Sequence, residues 1–361
     1  MPRPRPRAIP AREDDRRLSR PLCRARDPMR AACPARRKAP TVEIVAPDGL
    51  SGIREEWERL WRAVPDPSPF LAPAWLLAWA DIYAPDRCRA AALWADGKLA
   101  GLLPTFVWES ALLLAGTGPS DHGGVLIRPG FEKWAGTLVE AAAEAAPEPF
   151  ERIDLQQLAP GSPLIDCAVP GWSARMEEGD CCPALMLAGR DGMANAPKRM
   201  RSNWRYAMRQ LDRKGGAVER VAAAEIHETM AALERLHGLR WTEKGEAGML
   251  ADPLPSRFLR TVAPALAEAG LLQLHRLRLD GGTIAVLLAM QTEGESCYFL
   301  SGFDPDHAGL SPGTILVGGA IAEAARNGAT RFDFLRGKEP YKYRWGAKDR
   351  SLYRHILTRS C

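Results

Sequence analysis

The alternation of apolar and polar positions divides the chain into strands and helices whose order repeats. RAAALWADGKLAGLLPTFV (89–107) reads as two apolar strands around Asp96-Gly97, and LHRLRLDGGTIAVLLAMQT (274–292) reads the same way around Asp280-Gly281. An Asp-Gly pair between apolar strands is a strong hairpin signal. A third apolar strand follows each hairpin, ALLLAGTG (111–118) and SCYFLSGF (296–303). Pro129-Gly130 and Pro312-Gly313 then precede helical stretches, and each helix is followed by a short strand with a central acid, Asp154 or Asp333. The offset stays near 180 residues throughout. Five elements in one order, with two matched dipeptides, predict a duplicated α/β unit.

Helical spacing of apolar residues also predicts helices ahead of each hairpin. They cover 54–64 and 73–84 in the first unit, and 197–216, 225–241 and 256–270 in the second. The stretch near 170–196 reads as a linker with an entering strand.

Length and charge sharpen this picture. At 361 residues, with 46% hydrophobic and 26% charged positions, the chain has the length of two domains and an ordinary globular composition. A wholly disordered protein and a small disulfide scaffold are excluded. The longest core-like apolar run, IAVLLAM at 284–290, is far short of a membrane span. The net charge of +5 is unevenly distributed. Residues 1–40 hold 13 of 49 basic and 4 of 44 acidic residues, a net +9, and leave 36 basic against 40 acidic, −4, for the remainder. The tail also holds 8 of the 30 prolines. It is expected to be a disordered extension, or an over-long reading frame with Met29 as the start; a basic arm for nucleic acid or an anionic surface is the alternative. The eight cysteines show no CxxC spacing and suit reduced thiols in a cytoplasmic protein. The six histidines form no metal motif, so no metal is expected.

Four stretches carry candidate chemistry. SPGTILVGGAIAEAARNG follows a strand and opens a helix, a geometry that directs backbone N–H groups and the helix dipole at an anion. Ser311, Gly313, Thr314 and Ile315 would line that site, unless Pro-Gly merely starts a core helix. RFDFLRGKEPYKYRW (331–345) places Asp333 in an apolar strand, where an unpaired carboxylate is costly, ahead of Arg336, Lys338, Glu339, Tyr341, Lys342, Arg344 and Trp345, a set that can hold an anionic cofactor. The alternative is that Asp333 pairs with Arg336 or Lys342 and the aromatics pack. The helix at 197–216 sets Lys198, Arg201, Arg205, Arg209 and Arg213 on one side and Met200, Trp204, Met208 and Leu211 on the other. Like charges one turn apart repel, which an anionic ligand would relieve; a solvated face is the plain reading. HGLRWTEKGEAGML (237–250) carries Arg240, Trp241, Lys244 and Glu246 ahead of glycines in an expected loop. GTGPSDHGG (116–124) is neither a GxGxxG fingerprint nor, with Ser120, Asp121 and His122 adjacent, a triad.

With these residues in view, the chain resembles the CelD-like acyltransferases of the GNAT superfamily, related to the FemAB transferases. FDFLRGKEPYKYRWG (332–346) carries the resemblance most specifically. RSNWRYAMRQLDRKGG, LRWTEKGEAGML, LDGGTIAVLLAM and, in the first half, GTGPSDHGGVLIRPG and RIDLQQLAPGSP support it.

The resemblance implies an α/β fold with mixed sheets, built as two tandem GNAT-like units, at 41–180 and 181–361, after the tail of 1–40. It implies transfer of an acyl group, acetyl first, from acyl-CoA to a small-molecule amine, in envelope or polysaccharide metabolism, without a metal. Asp333, Glu339 and Tyr341 would be catalytic. Ser311, Gly313, Thr314, Ile315, Arg336 and Lys342 would hold the donor, and Arg201, Arg205, Arg240, Trp241 and Trp345 the acceptor. HAGLSPGTI departs from the family's Q/R-x-x-G-x-G/A phosphate loop. CoA, a carrier protein and, as in FemAB-type enzymes, aminoacyl-tRNA therefore stay open as donors. A non-catalytic partner in exopolysaccharide assembly is the alternative from another class.

Overall fold

The computed structural model describes residues 39–360 except Arg190 and Lys244; the basic tail lies outside them, apart from its last two residues. The first half contains β1 (Thr41–Val45), α1 (Arg54–Ala63), α2 (Pro73–Tyr83), β2 (Arg89–Ala95), β3 (Lys98–Trp108), β4 (Ala111–Leu114), β5 (Leu126–Ile127), α3 (Ala135–Glu144), β6 (Arg152–Leu158) and β7 (Trp172–Cys181). The second contains β8 (Ala184–Met186), α4 (Lys198–Arg213), β9 (Ala217–Arg220), α5 (Ile226–Glu243), α6 (Pro253–Glu268), β10 (Leu272–Leu279), β11 (Gly282–Gln291), β12 (Glu295–Phe303), α7 (Pro312–Arg326), β13 (Arg331–Asp333), α8 (Pro340–Arg344) and β14 (Ser351–Arg359).

Two mixed sheets result, ordered β1-β2-β3-β4-β6-β14-β7 and β8-β13-β12-β11-β10-β9. The duplication read from the chain is present in both. The hairpin turns place Asp96 and Asp280 at φ 50°, and Gly97 and Gly281 at 74° and 78°, the left-handed pair that a tight two-residue hairpin needs. In each half the strand after the hairpin pairs in parallel with the acid-bearing strand, β4 with β6 and β12 with β13.

Three details depart from the sequence reading. The third strand of the first half ends at Leu114, because Gly116 and Gly118 turn the chain at φ 92° and 104°. The two Pro-Gly pairs differ: Gly130 makes a left-handed turn five residues before α3, whereas Pro312 and Gly313 lie within the first turn of α7. β14, which local pattern had not marked, inserts between β6 and β7, so the C-terminal strand completes the first sheet.

The helices α1, α2, α5 and α6 form a core shared by both halves. Trp75 of α2 meets Phe258 of α6 edge to face, ring centroids 4.9 Å apart. α4 packs Trp204 on Gly318 of α7, where a Cβ would stand 2.3 Å from the indole. α5 approaches β12 at Gly302, where a Cβ would lie 2.4 Å from the His237 backbone nitrogen.

Polar clamps also cross between the halves. His122 Nε2 lies 3.2 Å from Asp333 Oδ2, which also accepts from Arg350 at 3.1 Å. Asp121, beside His122, takes the guanidinium of Arg336, while Ser120, within the first half, accepts from Trp75 Nε1 at 2.9 Å. These three neighbours thus serve three partners. His122, Cys182 and Asp333 put ligand-type atoms within 4.8 Å of one another. Arg350 already brings a positive charge to the Asp333 oxygen that faces His122, which opposes a cation there. Cys88, Cys167, Cys181, Cys182 and Cys297 are free and buried. No helix among the described residues is long and apolar enough to cross a membrane.

Two outcomes follow. Gly302→Val forces α5 off β12 and lowers the free energy of unfolding in urea by about 2 kcal/mol. For His122, burial opposes the charged ring, yet Asp333, with Glu295 and Asp121 behind it, holds the imidazole above its ordinary 6.5. A pKa raised by folding adds stability that is full below 6.5 and fades as pH rises through the folded value. Urea titrations of wild type and His122→Gln should therefore converge as pH climbs above 6.5, and a gap constant with pH would contradict the pairing.

Candidate active site

The site begins where β12 and β13 part. Their parallel pairing runs from Glu295↔Arg331 to Cys297↔Asp333 and stops. Tyr298–Phe303 continue beside β11, while the chain beyond Asp333 swings away through Leu335 at φ 60° and Gly337 at 103°. A left-handed Leu is unfavourable, and its surroundings hold it. Leu335 N–H donates to Asp333 Oδ1 at 2.7 Å. Lys342, 1% exposed, donates from Nζ to the carbonyls of Leu335, Arg336 and Gly337 at 2.9, 2.6 and 3.1 Å.

Two cavities open along the parted strands. The larger, about 720 Å³, is lined by Tyr298–Ser301, Phe334–Arg336, Glu339–Lys342, Arg344, Asp121 and the last turns of α5. The smaller, about 500 Å³, runs to the start of α7 and is lined by Ser311–Thr314, Val317, Phe303, Trp345 and, from α4, Met200, Asn203 and Tyr206. Arg240, Tyr298, Ser301, Tyr341 and Arg344 line both, so the cavities share one wall.

In the first half the corresponding gap is filled by the chain itself. β4 and β6 pair only from Ala111↔Arg152 to Leu113↔Asp154. The following loop then returns, bridging Gly123 to Leu158 with Gly123 N–H on Gln157 O at 2.9 Å. A Cβ at Gly123 would stand 2.4 Å from Gln156 O, so only glycine fits the seam.

Electrostatics set the protonation states at the shared wall. Burial, then Tyr298 and Glu339, push the Tyr341 phenol well above its ordinary value, so it stays protonated at neutral pH. Tyr298 and Tyr341 have ring centroids 6.3 Å apart, and the Tyr298 hydroxyl pairs with Ser301. His237 is 2% exposed, lines the larger cavity, and has no hydrogen-bond partner at Nδ1 among the described residues. Burial and Arg240 push its imidazole down to about 4, which keeps it neutral.

The residues singled out from sequence divide as follows. Glu339, Tyr341, Arg336, Lys342, Arg240 and Trp241 meet in the larger cavity, and Ser311, Gly313, Thr314 and Trp345 in the smaller. Asp333 is 0% exposed beneath them and lines neither; its partners are His122 and Arg350 rather than Arg336 or Lys342. Lys342 spends its donors on carbonyls and on Glu339, 2.9 Å away, which leaves none for a phosphate. Arg336 is likewise held by Asp121 and by the Gly118 carbonyl, 2.8 Å away.

At the start of α7, Ser311 caps the helix in the left-handed region at φ 58°. Its carbonyl takes the N–H groups of Thr314 and Ile315 at 2.9 and 3.1 Å. Ile315 is therefore a core residue, and the Gly313 N–H is the donor left in that turn. A Cβ at Gly313 would meet nothing within 4 Å.

On α4 the cavity face is Met200, Asn203 and Tyr206, at i, i+3 and i+6. Arg201 and Arg205 fall on the other side, Arg205 pairing with Asp191 at 3.3 Å. Arg240 and Trp241 lie on the last turn of α5, which runs to Glu243, and not in a loop. Lys244 lies outside the described residues. Sequence reasoning missed His237, Tyr298 and Ser301, and it set Arg344 in the 331–345 constellation without a role. The i, i+3, i+4 spacing of His237, Arg240 and Trp241 was the available signal for the first. Tyr298 reads as a core strand residue.

A sequence profile described as an acetyltransferase (GNAT) domain matches residues 198–343. No curated protein sequence matches the chain. Among solved structures, FemX aligns at a TM-score of 0.63 and 14% identity, over 84% of this chain and 95% of its own. The C-terminal domain of a lysylphosphatidylglycerol synthetase from Agrobacterium fabrum gives 0.58 and 13%, over 85% and 92%. A tandem GNAT protein from the clavulanic acid biosynthesis pathway gives 0.51 and 11%, over 89% and 100%. At these identities the likeness is one of fold. Residues 198–343 thus match the GNAT acetyltransferase model, and the chain as a whole shares its tandem α/β fold with FemX and the tandem GNAT protein.

Proposed function

We propose that the second half of the chain transfers an acyl group, acetyl first, from acyl-CoA to an amine. The observation that carries this reading is the opening between β12 and β13, which joins a cavity at the start of α7 to a larger one at Tyr341. The smaller cavity suits the donor. The Gly313 N–H and the positive end of α7 face it without steric obstruction, and anions are favoured at such helix starts. The larger cavity suits the acceptor. The sealed gap of the first half supports a structural role for that unit.

The chemistry needs few groups. A neutral amine attacks the thioester carbonyl, the C–N bond forms and the C–S bond breaks. Glu339 orients the ammonium form and takes its proton before attack; Tyr341, protonated at neutral pH, donates to the departing sulfur and regains a proton from the cationic nitrogen as the amide forms. Asp333 acts as a positioning residue through the loop that carries Arg336. An aminoacyl-tRNA donor is the second reading. It is favoured by the exposed residues Lys198, Arg199, Arg209 and Arg213 on the helix that also lines the smaller cavity.

Mass-spectrometric detection of acyl transfer, run with acetyl-CoA, longer acyl-CoAs and aminoacyl-tRNA, separates the readings. Consumption of an acyl-CoA is expected; consumption of aminoacyl-tRNA alone supports the second reading, and turnover of neither supports a non-catalytic protein. Tyr341→Phe should lower kcat about 10²-fold with the donor KM little changed. Gly313→Glu, which fits sterically, should leave the unfolding free energy intact and raise the donor KM about tenfold by setting a carboxylate against donor phosphates.

A further inference from the structure

The larger cavity holds charges that the fold does not use. Arg336 and Lys342 are engaged by Asp121, Glu339 and backbone carbonyls. Arg240 and Arg344, which line both cavities, have no carboxylate partner among the described residues; Arg240 lies over the Phe303 ring at 5.1 Å. Glu246, on the same cavity wall, has no cationic partner among them. A third group is also unspent: the buried Nδ1 of His237, which has no hydrogen-bond partner among the described residues. Leaving such an atom dry and unpaired is costly, so it points to a ligand atom in the cavity.

We infer that the larger cavity is an acceptor site for a small amine that also carries an anion, a carboxylate or a phosphate monoester. Arg240 and Arg344 pair with the anion, and His237 Nδ1 hydrogen-bonds the nucleophilic nitrogen. This deepens the acyltransferase reading and rests on it for the word acceptor. A volume of about 720 Å³ lies in the range of small-molecule sites. Opposite charges that line one wall without neutralising each other are what a ligand bearing both charges requires. The low basicity of His237 keeps the ring uncharged beside Arg240, so it does not repel an ammonium or compete for the anion. Both arginines sit at the wall shared with Tyr341, while the Gly313 N–H that suits donor phosphates lies at the start of α7.

The test uses the full-length protein and pairs of amines that differ only in the anion: β-alanine with propylamine, L-lysine with cadaverine, and phosphoethanolamine with ethanolamine. Binding is measured by calorimetry without donor. The anionic member of at least one pair is expected to bind tenfold or more tightly than its partner, and the pair that responds tells carboxylate from phosphate. Arg240→Gln and Arg344→Gln, both at sites that need not disturb the core, should abolish that preference. His237→Asn should weaken both members of a pair alike and leave the preference in place. With acetyl-CoA present, the arginine variants should raise the amine KM by a larger factor than the donor KM. Equal binding within every pair, no binding of any anionic member, or a preference that survives both arginine variants overturns the inference. A preference that is present while no donor is turned over leaves the inference standing and removes the acyltransferase reading instead.

Discussion

A carboxylate with no exposure to water must be met by N–H groups and positive charge, and Asp333 is such a carboxylate. Its partners come from three places: Leu335 two residues on, Arg350 at the approach to β14, and His122 in the first half. Meeting that requirement shapes what surrounds it. The Leu335 N–H bond turns the chain away from β12 and opens the cleft. His122 draws the 116–122 loop against the second half, which brings Asp121 to Arg336. Lys342 then secures the turned segment by its carbonyls. A charge commonly expected to do chemistry is here the anchor of the geometry on which the chemistry would depend.

The first half meets the same problem with other means. Asp154, at the matching strand position and equally dry, receives two bonds from Arg354 at 2.7 and 2.6 Å and one from Gln156 at 3.0 Å. Burial alone would raise its pKa, and these contacts with Arg354, Gln156 and Arg152 hold it below the usual carboxylate value. Arg350, just before β14, and Arg354, within it, belong to one C-terminal segment, which neutralises a buried acid in each half. The duplicated units are therefore completed jointly, and one cleft is free because the other is closed by its own loop.

Around the open cleft, burial acts in opposite senses on two groups. It keeps the Tyr341 phenol protonated and the His237 imidazole unprotonated, because a dry site disfavours whichever form is charged. The site thus presents a neutral proton donor and a neutral hydrogen-bonding ring beside guanidinium groups that stay charged. That combination needs no ion pair among its own members and leaves its fixed charges to a ligand.

Periodicity and turn chemistry act over a few residues, and so the hairpins at Asp96-Gly97 and Asp280-Gly281, the amphipathic helices α1 and α4, and the repeat itself were legible along the chain. So was the 331–345 stretch as a concentration of candidate residues by its chemistry, with Arg240 and Trp241 as further candidates. Pairing between distant segments has no such local mark. His122 and Asp333 are 211 positions apart, and nothing in GTGPSDHGG names its partner. β14 shows apolar residues but not the sheet it enters, and Tyr298 looks like any strand residue until β13 leaves its side. The role of each charge was decided in the same way. Lys342 and Arg336 resemble phosphate ligands in sequence, yet the folded chain gives them nearer acceptors, while Arg344 has none among the described residues. Composition and spacing determined which elements form and which residue types are available. Only the tertiary structure decided which charges are spent on the fold and which remain for a ligand, because that depends on distances between residues far apart in the chain.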